Sequence, residues 1–124
     1  MNLLLDTSAL LWWLGDSERL GPLARSTIAD PDNLIYVSAA SAWEIAIKVQ
    51  LGRLAGPPDP ATWLPAELAA NRFTPLAIGL HHALAVERLP PHHRDPFDRL
   101  LIAQAAIERL MLITGDWQLE RYAV

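Results

Sequence analysis

The chain alternates short apolar runs with longer segments in which apolar residues recur at helical spacing. Four apolar runs predict buried strands, at 3–5, 34–37, 76–78 and 110–113, and the final YAV is a candidate fifth strand. Helical patterns lie between them, in the stretches ALLWWL, PLARSTIA, SAWEIAIKVQLGRL, PATWLPAELAAN, LHHALAVERL and DPFDRLLIAQAAIERL. We expect the PATWLPAELAAN helix to break at Pro65, because proline removes a backbone hydrogen bond inside a helix.

This order of elements predicts an α/β fold, with a mainly parallel sheet of four to five strands between two layers of helices. The strands are apolar throughout rather than alternating, which favours a sheet covered on both faces. At 124 residues and without an internal repeat, the chain is expected to form a single domain over 1–124. The AGPPDP stretch predicts a rigid loop. It is not a domain linker, because the segments that flank it are too short to fold separately.

The composition restricts the classes of function. Residues are 52% hydrophobic and 19% charged, which excludes a disordered chain. The net charge of −4 argues against nucleic-acid binding by bulk positive charge, but it leaves room for a local arginine lining. The absence of cysteine excludes a disulfide framework and a thiolate zinc site. Neither a signal peptide nor a membrane-spanning stretch is recognised, so we expect a cytoplasmic protein.

Four acidic residues follow predicted strands or begin predicted helices. Asp6 follows the first strand, Glu44 lies in the first turns of the helix after the second, and Asp116 follows the fourth. Asp98 lies in the first turn of the last helix. Because the carboxyl ends of parallel strands share one edge of a sheet, topology brings three of these acids to that edge. Asp98 joins them if its helix begins there.

Each acid also has a purely structural explanation. Asp6 and Asp95 suit helix N-caps, the latter being followed by proline. Ser41 and Glu44 match a capping box, and Asp116 suits a glycine turn. Two carboxylates about 4 Å apart, however, repel by roughly 4 kcal/mol at an effective dielectric constant of about 20. A divalent cation would offset that repulsion, and an all-oxygen site suits Mg²⁺ or Mn²⁺.

Hydroxyl and basic residues near the acids extend the candidate site. Ser8 and Thr114 are suited to orient the carboxylates by hydrogen bonding. Lys48 either forms a helix ion pair with Glu44 or contacts a phosphate group. Arg94 and Arg99 are either solvated cations or phosphate contacts.

Paired histidines and several tryptophans are further features of the sequence. The histidines at 81–82 and 92–93 are interpreted as surface residues, because adjacent side chains on a helix point in different directions. The tryptophans at 12, 13, 43 and 63 are interpreted as core or interface residues, with base stacking as the less favoured alternative. The high apolar content favours a surface covered by a second copy or by another protein.

Four stretches taken in order, LLLDTSALLWWL, SAWEIAIKVQLGRL, RDPFDRLLIAQA and LITGDW, resemble the PIN-domain ribonucleases, and specifically the VapC-type toxins of bacterial toxin–antitoxin pairs. The resemblance covers essentially the whole chain. It implies a parallel α/β/α sandwich and a divalent-metal-dependent endoribonuclease of single-stranded or structured RNA, such as tRNA or rRNA. It also implies a homodimer that is inhibited by a VapB-like antitoxin.

The resemblance also implies a role for each acid. The residues that match the acidic positions of the family are Asp6, Glu44, Asp98 and Asp116. Asp6 and Asp98 would bind the metal directly, Glu44 would complete the site or orient a water, and Asp116 would act through water or a second metal. Alignment of DRLLIAQA with the pattern D-x-L-I-A-A selects Asp98 and leaves Asp95 as the cap, or as a ligand of a second metal. The residues that match supporting hydroxyls are Ser8 and Thr114.

Two other classes of protein compete with this interpretation. Receiver domains of phosphorelay systems are α/β, acidic and Mg²⁺-binding, but they need an acid after the third strand and a pair of acids after the first. Here the third strand ends LAIGLHH, and of the acids only Asp6 follows the first strand. A catalytically silent PIN-like scaffold that binds RNA or protein is the alternative that the residues alone leave open.

Overall fold

The computed structural model describes residues 1–91 and 95–114. The strands are β1 (Asn2–Leu5), β2 (Leu34–Ser38), β3 (Thr74–Leu76) and β4 (Met111–Ile113). The helices are α1 (Thr7–Leu14), α2 (Pro22–Ala29), α3 (Ala39–Gln50), α4 (Pro60–Ala70), α5 (Leu80–Ala85) and α6 (Pro96–Glu108), with a 3₁₀-helix at Val86–Arg88. None of the helices in these ranges has the length and apolar character that a membrane span requires.

The four strands form one sheet in the order β3-β2-β1-β4, and every pair is parallel. The predicted α/β fold with a parallel sheet is confirmed. The third strand lies two residues earlier than predicted, because its pairing with β2 begins at Thr74. It contains Pro75, which an edge strand tolerates. Its first two residues are exposed, so they do not produce the apolar run by which a buried strand is predicted. The candidate strand YAV lies outside the described residues.

The two faces of the sheet are covered by different helices, which gives the predicted three layers. Leu3 and Leu5 pack in a core with side chains of α1, α2, α3 and α4, whereas Leu4 packs against α6. All three leucines are fully buried, as the period-two alternation of a strand between two layers requires. An unbroken apolar run is therefore the expected sequence for β1.

Helix α4 continues through Pro65, so the predicted break is wrong. The proline ring lies on the exposed side of the helix, where water can satisfy the carbonyl group that loses its partner. Leu64 and Leu68 are both buried in the core and hold the turns on either side of the proline. Burial of these two side chains therefore outweighs the lost backbone hydrogen bond.

The strand order reverses between β1 and β4. The chain adds β2 and then β3 on one side of β1, and it returns through α5 and α6 to place β4 on the other side. Ligands of parallel α/β sheets bind outside the carboxyl ends of the strands at such a reversal. β4 begins at Met111, at the amino edge of the parallel sheet, and α6 ends just before it at Glu108. The first turn of α6 therefore lies at the opposite, carboxyl edge. The condition for Asp98 to lie at that edge is met.

Candidate functional site

Asp6 lies at the carboxyl end of β1, beside the reversal in strand order, and is only 4% exposed. It is the N-cap of α1, since its Oδ1 accepts the backbone N–H of Ala9 at 2.7 Å. Its Oδ2 accepts the Thr114 hydroxyl at 2.5 Å, and its own N–H donates to the carbonyl of Ile113 at 3.0 Å. The capping explanation is therefore correct, and the same bonds hold the carboxylate at the crevice between β1 and β4.

Glu44 lies in the second turn of α3, and the capping-box explanation for it is wrong. The helix begins before Ser41, because the Ser38 side chain caps it by accepting a backbone N–H at 3.0 Å. Ser41 Oγ instead accepts the hydroxyl of Thr7 at 3.0 Å, which joins the first turns of α1 and α3 next to Asp6. Glu44 is three residues beyond Ser41 and so projects from the same side of α3.

Asp98 lies in the first turn of α6, behind the N-cap Asp95. The Asp95 Oδ1 accepts the N–H of Phe97 at 2.9 Å and that of Asp98 at 3.4 Å, so Asp95 is the predicted cap. The Phe97 ring meets the Trp43 indole edge to face, with the ring centroids 5.1 Å apart. Because these two aromatic residues directly precede Asp98 and Glu44, their contact sets the turn that carries Asp98 beside the turn that carries Glu44.

Three of the four predicted acids thus lie at one edge of the sheet: Asp6, Glu44 and Asp98. Asp116 lies outside the described residues, as do Arg94 and the histidines at 92–93. Ser8, predicted as a supporting hydroxyl, is exposed, whereas Thr7 is buried and bonded to α3. The letters DTS do not distinguish these two hydroxyls, because the choice depends on which side of α1 faces α3.

Two of the cations predicted near the acids have partners within the chain. Lys48 Nζ lies 3.1 Å from Glu44 Oε2, one helical turn away. The Arg99 guanidinium donates to the backbone carbonyl of Val86 at 2.8 Å and to that of Pro90 at 3.2 Å. Arg99 therefore ties the 3₁₀-helix and the residues after it to the start of α6, which also carries Asp98.

The donor chemistry of this edge fits a hard divalent cation. The carboxylate of Asp6 is almost fully buried, and the side chain of Glu44 is 14% exposed. An ionised carboxylate held away from water is costly unless hydrogen bonds or positive charge accompany it. Mg²⁺ and Mn²⁺ prefer oxygen ligands and bind through a few carboxylates together with water. The residues present therefore fit the predicted Mg²⁺ or Mn²⁺.

A buried polar network runs from this edge toward α5. Gln104, in the middle of α6, is fully buried. Its Oε1 accepts the hydroxyl of Ser38 at 2.5 Å, and its Nε2 donates to the carbonyl of Ala77 at 3.2 Å. Since Ser38 also caps α3, the network connects the helix that carries Glu44 to α6. This network is not among the features predicted from the sequence, although the lone glutamine in the apolar stretch LLIAQAA is its signal.

At the far end of the network, His82 is 3% exposed, so its interpretation as a surface residue is wrong. Its Nδ1 accepts the N–H of Gly79 at 2.9 Å, and its Nε2 lies 2.9 Å from Glu108 Oε2. His81 is exposed, with its Nε2 3.7 Å from the same oxygen. Gly79 permits this packing, because a Cβ there would lie 2.4 Å from the His81 ring.

His81, His82 and Glu108 bring their potential ligand atoms within 4.8 Å of one another. The proton positions nevertheless argue against a metal at this place. Because His82 Nδ1 accepts an N–H, the neutral ring carries its proton on Nε2 and donates it to Glu108. A histidine that binds a metal normally uses its other ring nitrogen as a donor, which is the opposite arrangement. We therefore interpret the cluster as a hydrogen-bonded contact between α5 and α6.

This contact predicts a pH dependence of stability. The hydrogen bond from His82 outweighs desolvation of the carboxyl group and holds the pKa of Glu108 below its ordinary 4.5. A carboxyl group with a lowered pKa stabilises the fold above the ordinary value, and this contribution is lost as the pH falls through the folded pKa. We expect Glu108→Gln to lower the Tm near neutral pH, and the difference from wild type to shrink as the pH falls below 4.5.

Thermal melts at about pH 7 and about pH 3.5 measure this difference. The matched control is Glu67→Gln, since Glu67 is an exposed carboxylate on α4. A Tm difference for the Glu108 variant that persists or grows on acidification would contradict the role given to the ionised carboxylate.

Comparisons with known proteins indicate the family and the fold of the chain. A family model described as the PIN domain matches residues 3–124. The chain is similar to the ribonuclease VapC16 of Mycobacterium tuberculosis (strain ATCC 25618 / H37Rv), with 40% identity over 58 residues. That match spans 47% of this chain and 41% of the relative, less than half of either.

A solved structure shares the architecture. It is the crystal structure of VapBC2 from Rickettsia felis bound to a DNA fragment from their promoter, with a TM-score of 0.71 and 13% sequence identity. The similarity covers 99% of this chain and 94% of that one. At this level of identity the likeness concerns the fold alone.

Proposed function

Because the chain belongs to the PIN domain family, we propose that it is a divalent-metal-dependent endoribonuclease with its acidic site at the carboxyl edge of the sheet. The observation that carries the proposal is the placement of Asp6, Glu44 and Asp98 around the reversal in strand order. The similarity to a VapC ribonuclease supports RNA as the substrate. The proposal treats 1–124 as one domain of this kind.

Each residue has a proposed part in the reaction. Asp6 and Asp98 hold Mg²⁺ or Mn²⁺ directly, Glu44 completes the site or orients a water, and Asp116 acts through water or a second metal. When bound, the cation supplies activation of a water and neutralisation of the attacked phosphate. Thr114 orients Asp6 through the bond to Oδ2. The remaining residues proposed for support, a second metal or phosphate contact are Ser8, Asp95, Lys48, Arg94 and Arg99.

The proposal includes control by a protein partner, a VapB-like antitoxin. The solved structure with the same fold is a VapBC complex. This chain also has a groove of about 560 Å³ lined mainly by apolar side chains of α3, α4 and the end of β3, which suits a protein segment better than a charged ligand. A homodimer and action in the cytoplasm on RNA such as tRNA or rRNA complete the proposal.

The test is cleavage of total bacterial RNA by the purified chain, with Mg²⁺ or Mn²⁺ and, in parallel, with EDTA. We expect discrete cuts that disappear with EDTA. Asp98→Asn should lower cleavage by about 100-fold or more, because it removes a charged metal ligand. Asp95→Asn should retain cleavage, since asparagine caps a helix as well as aspartate does.

The two variants each remove one negative charge from the same helix terminus, three residues apart. Comparing them therefore distinguishes the role of metal ligand from that of helix cap. Cleavage that survives EDTA would contradict the metal dependence. Equal loss in both variants would contradict the assignment of Asp98. A folded protein that cuts under no condition would favour the alternative of a catalytically silent PIN-like scaffold.

A further inference from the structure

Trp43 differs from the other tryptophans that the structure describes. Those at 12, 13 and 63 pack partly buried against the core, as predicted. Trp43 is 59% exposed, although it lies in the middle of the second turn of α3. Water-exposed indole surface is unfavourable, which makes this position a candidate for contact with a ligand.

Trp43 adjoins the two helix turns that carry Glu44 and Asp98. Glu44 follows it directly in the chain, and the edge-to-face contact with Phe97 joins it to the residue before Asp98. The two rings meet at an interplanar angle of 71°, and the half-buried Phe97 ring packs against one side of the indole. The exposed aromatic surface is therefore held between the two helix turns that carry Glu44 and Asp98.

The charges near Trp43 do not favour RNA binding through its phosphate groups alone. The chain has a net charge of −4, and the acids repel a phosphate backbone before any cation binds. Lys48 is paired with Glu44, and Arg99 donates to backbone carbonyls. A nucleobase can stack on an aromatic ring without any positive charge, because every base has a π face.

We propose that Trp43 is a stacking platform for an unpaired nucleobase, next to the phosphate group held at the acidic edge. This inference rests on the proposed ribonuclease function and adds a requirement on the substrate. The RNA must present an unstacked base beside the cut, as single strands and loops do and as a regular duplex does not. Trp43 is thereby a substrate-binding residue, distinct from the acids in its role.

The experiment measures binding of a fluorescently labelled, single-stranded RNA of random sequence in Ca²⁺, which replaces Mg²⁺ to slow cleavage. Trp43→Leu should weaken binding by roughly 10-fold, the loss expected for one base–aromatic stack. Trp43→Phe should restore most of it. Leu51→Ala is the matched control, since Leu51 is 57% exposed at the end of the same helix and should leave binding unchanged.

A duplex of the same length, measured in parallel, should bind wild type and Trp43→Leu alike. Equal binding of the single strand to both proteins would overturn the platform, as would equal weakening by the Leu51 variant. A lower molecular mass of Trp43→Leu in light scattering would also overturn it, because Trp43 would then belong to an interface between protein chains.

The cleavage assay on total RNA separates failure of this inference from failure of the proposed function. Wild-type protein that cuts RNA while Trp43→Leu binds the single strand normally contradicts the platform alone. Wild-type protein that neither cuts nor binds RNA contradicts both.

Discussion

Asp6→Asn is expected to lower RNA cleavage by about 100-fold or more while leaving the Tm within a few degrees of wild type. Asparagine is as good an N-cap as aspartate, and its side-chain oxygen can still accept the N–H of Ala9. Its amide can donate to the Thr114 hydroxyl, which only has to rotate. The substitution therefore preserves the local structure and removes the negative charge that a divalent cation requires.

Asp16→Asn is the control for the loss of one acidic charge. Its carboxylate is 90% exposed and pairs with Arg25 on the surface, so neither cleavage nor Tm should change appreciably. Cleavage rates and thermal melts of the three proteins make the comparison. An Asp6 variant that cuts RNA as wild type does would contradict the proposed metal site. A variant that loses cleavage only because it unfolds would show that Asp6 acts as a helix cap and not as a metal ligand.

Gln104→Leu is expected to lower the free energy of unfolding by about 2 kcal/mol. Leucine fills a similar volume, so the loss comes from hydrogen bonding rather than from a cavity. The buried hydroxyl of Ser38 loses its acceptor on Gln104, and an orphaned buried group costs about 1–3 kcal/mol. The carbonyl of Ala77 loses a donor as well, at a smaller cost because Ala77 is exposed to water.

Urea unfolding measures the effect, with Gln50→Leu as the control because Gln50 is an exposed glutamine at the end of α3. Ser38→Ala combined with Gln104→Leu should cost less than the sum of the two single substitutions, since the orphaned hydroxyl is absent from the double variant. A Gln104 variant within about 0.5 kcal/mol of wild type would show that the network contributes little.

The positions of the acids follow from the order of the elements. The unbroken apolar run at 3–5 predicts a strand covered on both faces, and parallel pairing then places Asp6 and Glu44 at the same edge. Asp98 needed the structure, because its position depends on which end of α6 meets that edge. Pattern and topology therefore suffice where the feature depends on chain direction alone.

Features that depend on the choice between similar neighbours were not predictable. Ser38 rather than Ser41 caps α3, and Thr7 rather than Ser8 is buried against it, because packing of α1 on α3 decides which hydroxyl finds a partner. The edge strand β3 carries too few buried residues to produce an apolar pattern. His82 is buried against Gln104 of α6, which lies 22 residues later in the chain. The spacing of residues within α5 does not reveal this contact.

Binding of Mn²⁺ to the purified chain tests the central claim most directly, since it requires neither a known RNA nor an antitoxin. We expect wild type and Asp16→Asn to bind Mn²⁺ alike in an isothermal titration. Asp6→Asn should raise the Kd for Mn²⁺ by at least about 10-fold while its Tm is preserved. Absence of Mn²⁺ binding by wild type, or equal binding by the Asp6 variant, would contradict a metal centre at the carboxyl edge of the sheet.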